Sequence, residues 1–281
     1  GPQGAEDSDT AGPRAVPVTV VEQGAPMQVG PFEVELGPMS HSIPGPNALV
    51  IRTRLGTVVH SGDWKIDLTP GIGRPIDVDR LKAVGDEGVR ALICDSTNAV
   101  RSGRSPSESD VTERLTDIIK KAPNRVAVTT FASNVARIHG VAVAAKAAGR
   151  DVVVMGRAMK RVIDVATELG YLSDVPPFLD EDAYGYLPRD KVVALLTGSQ
   201  GESRAALARI AKDEHPRVAL SPGDLVIFSS RTIPGNEPPV ISVVNALSER
   251  GIEILTDRDD LVHVSGHPRR DELADLYSWV K

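Results

Sequence analysis

The chain is poor in cysteine, in aromatic residues, in positive charge and in long apolar runs, and each shortage removes a class of protein. A single cysteine, Cys94, stands among 281 residues, which excludes an internal disulfide and fits a reducing compartment. Its place in the apolar stretch Val89 to Cys94 makes it a core residue first. Aromatic residues are only 4% of the chain, too few for a broad platform on which single-stranded bases could stack. The 32 Lys and Arg are outnumbered by 38 Asp and Glu, for a net charge of −6. A polyanionic partner must therefore be met by a local site, not a basic coat. No apolar run approaches the ~20 residues that span a bilayer, and no basic segment followed by an apolar one opens the chain. A cytoplasmic protein without membrane contact is expected.

What is present suffices for a sizeable core, since hydrophobic residues make up 41% of a length that allows one large domain or two. Residues 1–15, rich in Gly, Pro, Asp and Ser after a Gly-Pro start, read as a disordered, tag-like piece. Val16 to Glu22 and Met27 to Leu36 alternate apolar and polar residues and read as short antiparallel strands. Asn47 to Arg54 and Thr57 to His60 read as a hairpin around Leu55-Gly56. Val78 to Val84 reads as a short helical or 3₁₀ turn and Val89 to Cys94 as a strand. From about residue 107 strands and helices alternate. Ser107 can cap a helix carrying Val111, Leu115, Ile118 and Ile119. Strands follow at Arg125 to Thr130, Val152 to Met155, Val192 to Leu196, Leu225 to Phe228 and Glu253 to Leu255. Helices fall between them at Asn134 to Ala148, Arg157 to Leu169, Ser203 to Lys212 and Pro239 to Arg250. That order predicts an α/β architecture with a parallel sheet flanked by helices.

Two potential metal ligands, His41 and Asp63, sit at the two ends of the hairpin region. Imidazole and carboxylate are donors that borderline and hard divalent ions share. Beyond the strand ends of an open parallel sheet, where ligands gather, lie four polar segments. They are Phe131 to Asn134, Thr197 to Glu202, Ser229 to Arg231, and His263 to His267. The first two each lead from a strand into a helix, where free amides favour an anion; plain helix capping explains the same residues. His263 and His267 would share a metal only on a helix, which Gly266 disfavours, so a phosphate clamp is the reading. Plainer roles suit the rest. His60 reads as a sheet residue, His139 as packing or solvated, Glu202 as serving its helix start and Trp64 as packing support. His215 carries no signal, and Arg101 and Arg104 read as ordinary exposed arginines.

The runs HSIPG, SGDWK, CDSTN, TTFASN, TGSQGE, FSSRTIPGNE and HVSGH, in this order, resemble ribonuclease J. The resemblance implies a partial metallo-β-lactamase αββα-type fold (residues 16–95 and 258–281) with an inserted β-CASP domain (96–257). It also implies hydrolysis of RNA phosphodiesters by two metal ions, zinc with manganese or magnesium as options. The activity would be 5′-to-3′ exonuclease and endonuclease, serving RNA processing and decay, on RNA preferably bearing a 5′ monophosphate. Carried over residue by residue, His41 and Asp63 would hold metal, with Asp63 bridging both ions, and Asp95 would be oriented near them. His263, Ser265 and His267 would hold the phosphate being cut, with His267 a proton donor to the leaving oxygen. Ser133 and Asn134 would contact the 5′ phosphate. Ser199, Gln200, Ser229 and Arg231 would line the same channel. A homodimer or tetramer is implied for the full-length parent. The family's His-x-His-x-Asp-His run is absent, so the chain is expected to be an internal piece whose isolated metal centre is incomplete. A non-catalytic RNA-binding β-CASP fragment, or another hydrolase of this fold acting on a small ester, are the alternatives.

Overall fold

Period-two alternation of apolar and polar residues builds the first sheet in the computed structural model, which describes residues 17–280. The tag-like reading of residues 1–15 lies outside the described residues. Strands β1 (Pro26–Val29), β2 (Phe32–Pro38), β3 (Asn47–Thr53) and β4 (Gly56–His60) pair antiparallel in sequence order. After helix α1 (Val78–Asp86), β5 (Val89–Ile93) joins β4 in parallel. One face of this sheet is covered. Ala48, Val50 and Val59 are buried with Leu81 and Val84 of α1 and with Leu273 and Leu276 of the last helix, α7 (Arg270–Trp279). Two expectations need correction. Residues 17–22 form no strand: Pro17 has no amide to pair, and Val18 and Val20 stand 87% and 93% exposed. The segment expected as a short helical or 3₁₀ turn over Val78 to Val84 is helical but runs two residues further, as the nine-residue α1, whose N-terminal amide at Arg80 donates to the Asp77 carboxylate at 2.9 Å.

Continuous apolar runs build the second sheet, in which every pairing is parallel. Its elements in chain order are α2 (Glu108–Lys121), β6 (Val126–Thr129), α3 (Val135–Ala147), β7 (Asp151–Met155), α4 (Arg157–Glu168), β8 (Leu179–Asp180), β9 (Val192–Leu196), α5 (Ala206–Ala211), β10 (Leu225–Phe228), α6 (Glu237–Glu249) and β11 (Glu253–Leu255). The strand order is β11-β10-β6-β9-β7-β8. All residues of β6 and β9 are buried, as a parallel sheet covered on both faces requires. Helices α2, α3 and α4 pack on one face against Val126, Val154 and Leu195, and α5 and α6 on the other against Ala127, Leu196 and Phe228. Helix α5 has six residues, shorter than its polar approach suggested. Val262 and Val264 still belong to the parallel-sheet core, whereas Leu273 belongs to the first sheet's core. The chain therefore crosses between the two cores at residues 265–272. No helix among the described residues is long and apolar enough to cross a membrane.

Candidate active site between the two sheets

Strands β4 and β5 run parallel with His60 opposite Ile93, so the residues just beyond both strands emerge at one sheet edge. The Ser61 amide donates to the Ile93 carbonyl at 2.9 Å, and the Asp95 amide donates to the Ser61 hydroxyl at 3.0 Å. At Gly62, with φ +60°, the chain turns where a Cβ would lie 3.0 Å from the Asn47 carbonyl; this turn delivers Asp63 to the edge. Asp95 accepts the amide and hydroxyl of Thr97 at 2.9 and 2.6 Å. His267 comes from the crossing segment and places Nδ1 2.6 Å from Asp95 Oδ2. Ligand atoms of Asp63, Asp95 and His267 all lie within 4.8 Å of one another.

His41 approaches from the other side. Ser40 is stapled to Lys65, whose amide donates to the Ser40 carbonyl at 2.9 Å, while the Ser40 hydroxyl donates to the Lys65 carbonyl at 2.8 Å. That fixes the neighbouring His41, whose Nδ1 lies 2.7 Å from the Gly266 carbonyl and whose ring centroid is 5.4 Å from that of His267. A carbonyl can only accept, so Nδ1 carries the proton and Nε2 keeps its lone pair. Burial pushes the His41 imidazole below its usual range, against the opposing hydrogen bond to Gly266. Burial alone would raise the Asp95 carboxyl, but the bonds from His267 and Thr97 outweigh it and pull it down to about 2. The same Asp95 hydrogen bond, opposed by burial, lifts His267 above its ordinary value. The pair is therefore an ionised carboxylate holding an imidazole by its Nδ1 proton.

The expected metal pair was His41 with Asp63. Asp63 instead stands with Asp95 and His267, and His41 lies one ring away, outside that 4.8 Å group. Of the expected phosphate residues, His263, Ser265 and Arg231 line one cavity of about 290 Å³ together with Arg101, Arg258 and Arg269. His263 Nδ1 is buried without a hydrogen-bond partner. Burial, with the charges of Arg137, Arg231 and Lys65, pushes the His263 ring down to about 3, so it is neutral. Ser133 and Asn134 do not line this cavity. Asn134 is 5% exposed and caps α3, accepting the Arg137 amide at 2.9 Å. Ser229 has no exposed surface, and its hydroxyl donates to the Val262 carbonyl at 2.6 Å and accepts from Arg137 at 2.7 Å. Ser229 is a strut of the interior. Ser199 is buried, and the Gln200 carboxamide ties the Arg231 carbonyl to the Ile233 amide at 2.9 and 2.8 Å.

The residues given plainer roles fall as follows. His60 is exposed and accepts the Gly62 amide at 3.1 Å, and His139 meets Asp174 at 2.9 Å. His215 lies 3.9 Å from Glu181. Trp64 is wholly buried. Arg104 pairs with Asp275 at 2.6 Å, while Arg101 lines the His263 cavity, to which Asp257, Asp259 and Asp260 also contribute. Glu202 accepts the Gln200 amide at 3.1 Å four residues before α5 begins, a loop contact rather than the expected service to the helix. Sequence reasoning missed Asn98, whose amide nitrogen donates to Ser265 Oγ at 2.9 Å and to the His267 carbonyl at 3.2 Å. It also missed the wholly buried pair of Lys65 and Asp67, 2.9 Å apart, and Glu272. Their one signal was proximity to SGDWK, CDSTN and HVSGH.

Residues 123–247 match the family described as "Ribonuclease J, beta-CASP domain". Over those residues the chain is similar to a ribonuclease J β-CASP domain. It is 60% identical over 266 residues to "Ribonuclease J" of Sinorhizobium meliloti, covering 95% of this chain and 47% of that protein. It is 46% identical over 255 residues to "Ribonuclease J" of Mycolicibacterium smegmatis, covering 90% and 46%. The chain thus spans about half the length of the curated relatives it matches. A crystal structure of a protein of unknown function from Enterococcus faecalis V583 shares the fold, with a TM-score of 0.65 at 16% identity over 94% of this chain and 60% of that one. The parallel sheet flanked by helices is the β-CASP architecture of the metallo-β-lactamase superfamily. Ribonuclease J is a family of metal-dependent nucleases.

Proposed function

We propose that this chain supplies the catalytic edge and phosphate-binding cavity of a metal-dependent ribonuclease that hydrolyses RNA phosphodiester bonds. The observation that carries the reading is the 2.6 Å contact between His267 and Asp95 beside Asp63. With Nδ1 held by an ionised carboxylate, the imidazolium form of His267 is favoured and Nε2–H is free to protonate a leaving oxygen. Hydrolysis then balances: the P–O bond to the leaving ribose breaks, the leaving oxygen takes its proton from His267, and the attacking water bonds to phosphorus and releases a proton to solvent, from which His267 is reprotonated. The donors suit a divalent ion of the zinc or manganese type, which the Asp63 carboxylate would hold, with Nε2 of His41 a further donor from outside the 4.8 Å group. When bound, such an ion offsets the negative charge that grows on the phosphate. Arg231, His263 and Ser265, with Arg101, Arg258 and Arg269 around them, offer guanidinium, imidazole and hydroxyl groups to an RNA phosphate, in a cavity that Asp257, Asp259 and Asp260 also line. A 5′-monophosphorylated end is the ligand we assign to it.

The test is metal content together with cleavage of a 5′-monophosphorylated RNA by the 281-residue chain, with Asp63→Ala beside it. Bound metal and cleavage that both vanish in Asp63→Ala are expected. Retention of RNA without metal or cleavage would leave a binding module, and cleavage of small esters that ignores the RNA as competitor would point to a different hydrolase. The mutual 4.8 Å spacing favours one second reading, in which Asp95 and His267 also ligate the ion. Loss of metal in Asp95→Asn would favour it.

A further inference from the structure

We infer that Glu272 is a positioning residue that holds the Asp63 loop and the His267 turn in register. The inference rests on the proposed roles of those two residues. Glu272 has no exposed surface, and its carboxylate accepts three backbone amides from three separate segments. Oε1 accepts from Ile66 at 2.9 Å; Oε2 accepts from Ser105 at 2.8 Å and from Arg269 at 2.9 Å. Ile66 stands three residues beyond Asp63, and Arg269 two beyond His267. The link to His267 is doubled, because the Ser105 hydroxyl donates to the His267 carbonyl at 3.3 Å. No cation lies within ion-pair distance of Glu272 among the described residues, so backbone amides carry the whole task of solvating this carboxylate.

Ordinary capping explains one of these bonds. Glu272 is the third residue of α7 and forms a capping box with Arg269, a role that needs only the Arg269 amide. Asp110 plays that part for α2 from an exposed position, accepting the Ser107 amide at 2.8 Å. Burying a carboxylate is costly unless its lone pairs are matched, and the bonds to Ile66 and Ser105 are what the interior position adds. Both reach toward the site. A carboxylate is also the group the arrangement requires: two acceptor oxygens face three donors. A glutamine of the same size has one oxygen, and its NH₂ must then oppose either the Ile66 amide or the Ser105 and Arg269 pair. Either choice frees one side of the centre.

The test reads the His267 Nδ1–H bond to Asp95 directly, by NMR of the chain with ¹⁵N-labelled histidine, together with Mn²⁺ affinity. Glu35→Gln is the control. Glu35 of β2 is 2% exposed and bonded to Arg52 of β3 and Arg80 of α1, away from the site. Both variants are expected to lose stability. Only Glu272→Gln is expected to lose the slowly exchanging downfield Nδ1–H signal and to bind Mn²⁺ at least ~10-fold more weakly. Glu272→Asp, which keeps both oxygens, should recover part of each. Ser105→Ala removes the hydroxyl link without disturbing a buried charge, should weaken the same signal, and decides the matter if Glu272→Gln does not fold. An unchanged signal in both Glu272→Gln and Ser105→Ala, or an equal loss in Glu35→Gln, overturns the inference. Absence of Mn²⁺ binding by the unsubstituted chain would instead overturn the metal reading, with the NMR comparison still deciding Glu272.

Discussion

A methyl group on residue 266 has no room. The ideal Cβ would fall 2.2 Å from His41 Cε1 and 2.3 Å from its Nδ1, so Gly266→Ala must displace either the imidazole or the turn. Displacement breaks the bond that fixes the His41 tautomer, the only one among the described residues, and Mn²⁺ affinity is expected to fall at least ~10-fold. The overpacking itself should cost about 1–3 kcal/mol in urea unfolding. Full affinity in a folded Gly266→Ala protein would remove His41 from the centre. The Asp95 and His267 pair carries a pH signature. His267 is raised above 6.5, so its share of stability is complete below that value and disappears as pH climbs through the raised one. Asp95 is lowered from 3.8 to about 2, so its share is present above 3.8 and disappears as pH falls toward 2. Asp95→Asn should therefore cost most between about pH 4 and 6.5, on the order of 1–2 kcal/mol, and clearly less at pH 9. A cost that is flat with pH in urea titrations would contradict the pair.

At the scale of elements, Arg137 joins more of the molecule than its place in α3 suggests. Buried at 1% exposure, it pairs with Glu108 of α2 at 2.8 Å and donates to Ser229 Oγ and the Val262 carbonyl at 2.7 and 2.9 Å. It thereby ties α2 and α3 to the end of β10 and to the segment that leads into His263. Arg137→Leu leaves the Glu108 carboxylate buried without a cation and should cost about 3–5 kcal/mol by urea unfolding. Glu108→Leu/Arg137→Leu together should cost less than Arg137→Leu alone; the reverse order would show that the bonds to Ser229 and Val262 dominate. This element was legible in sequence only as a helix. Runs such as VVALL and VVVM announce buried parallel strands because local composition alone carries that information. Asp95 and His267 are 172 residues apart, and no local pattern encodes that meeting; only the matched order of HSIPG, SGDWK, CDSTN and HVSGH brought them together. Glu272 stayed invisible because a glutamate at a helix start is common for capping alone. Residues 17–22 misled because alternation without a partner strand buries nothing.

Across the whole molecule the two sheets are finished unequally. Among the described residues, helices cover both faces of the parallel sheet but only one face of the five-stranded sheet. On its other face, register aligns Val34 with Ile51, Val58 and Ala91, and Leu36 with Leu49, His60 and Ile93. Val34, Leu36, Leu49, Ile51 and Val58 are only partly buried, and Ile93 is 55% exposed. A contiguous apolar face of this kind binds hydrophobic dyes and promotes association. The chain should accordingly enhance ANS fluorescence in its native state, at concentrations where near-UV circular dichroism reports intact tertiary packing. Ile51→Thr/Val58→Thr keeps β-branched side chains suited to the pleat while placing hydroxyls on that face. It should at least halve the ANS signal and shift unfolding free energy by no more than ~1 kcal/mol. A native chain that binds no dye would mean the face is closed in solution. A large loss of stability in the double variant would mean that these side chains already support the core formed on the opposite face.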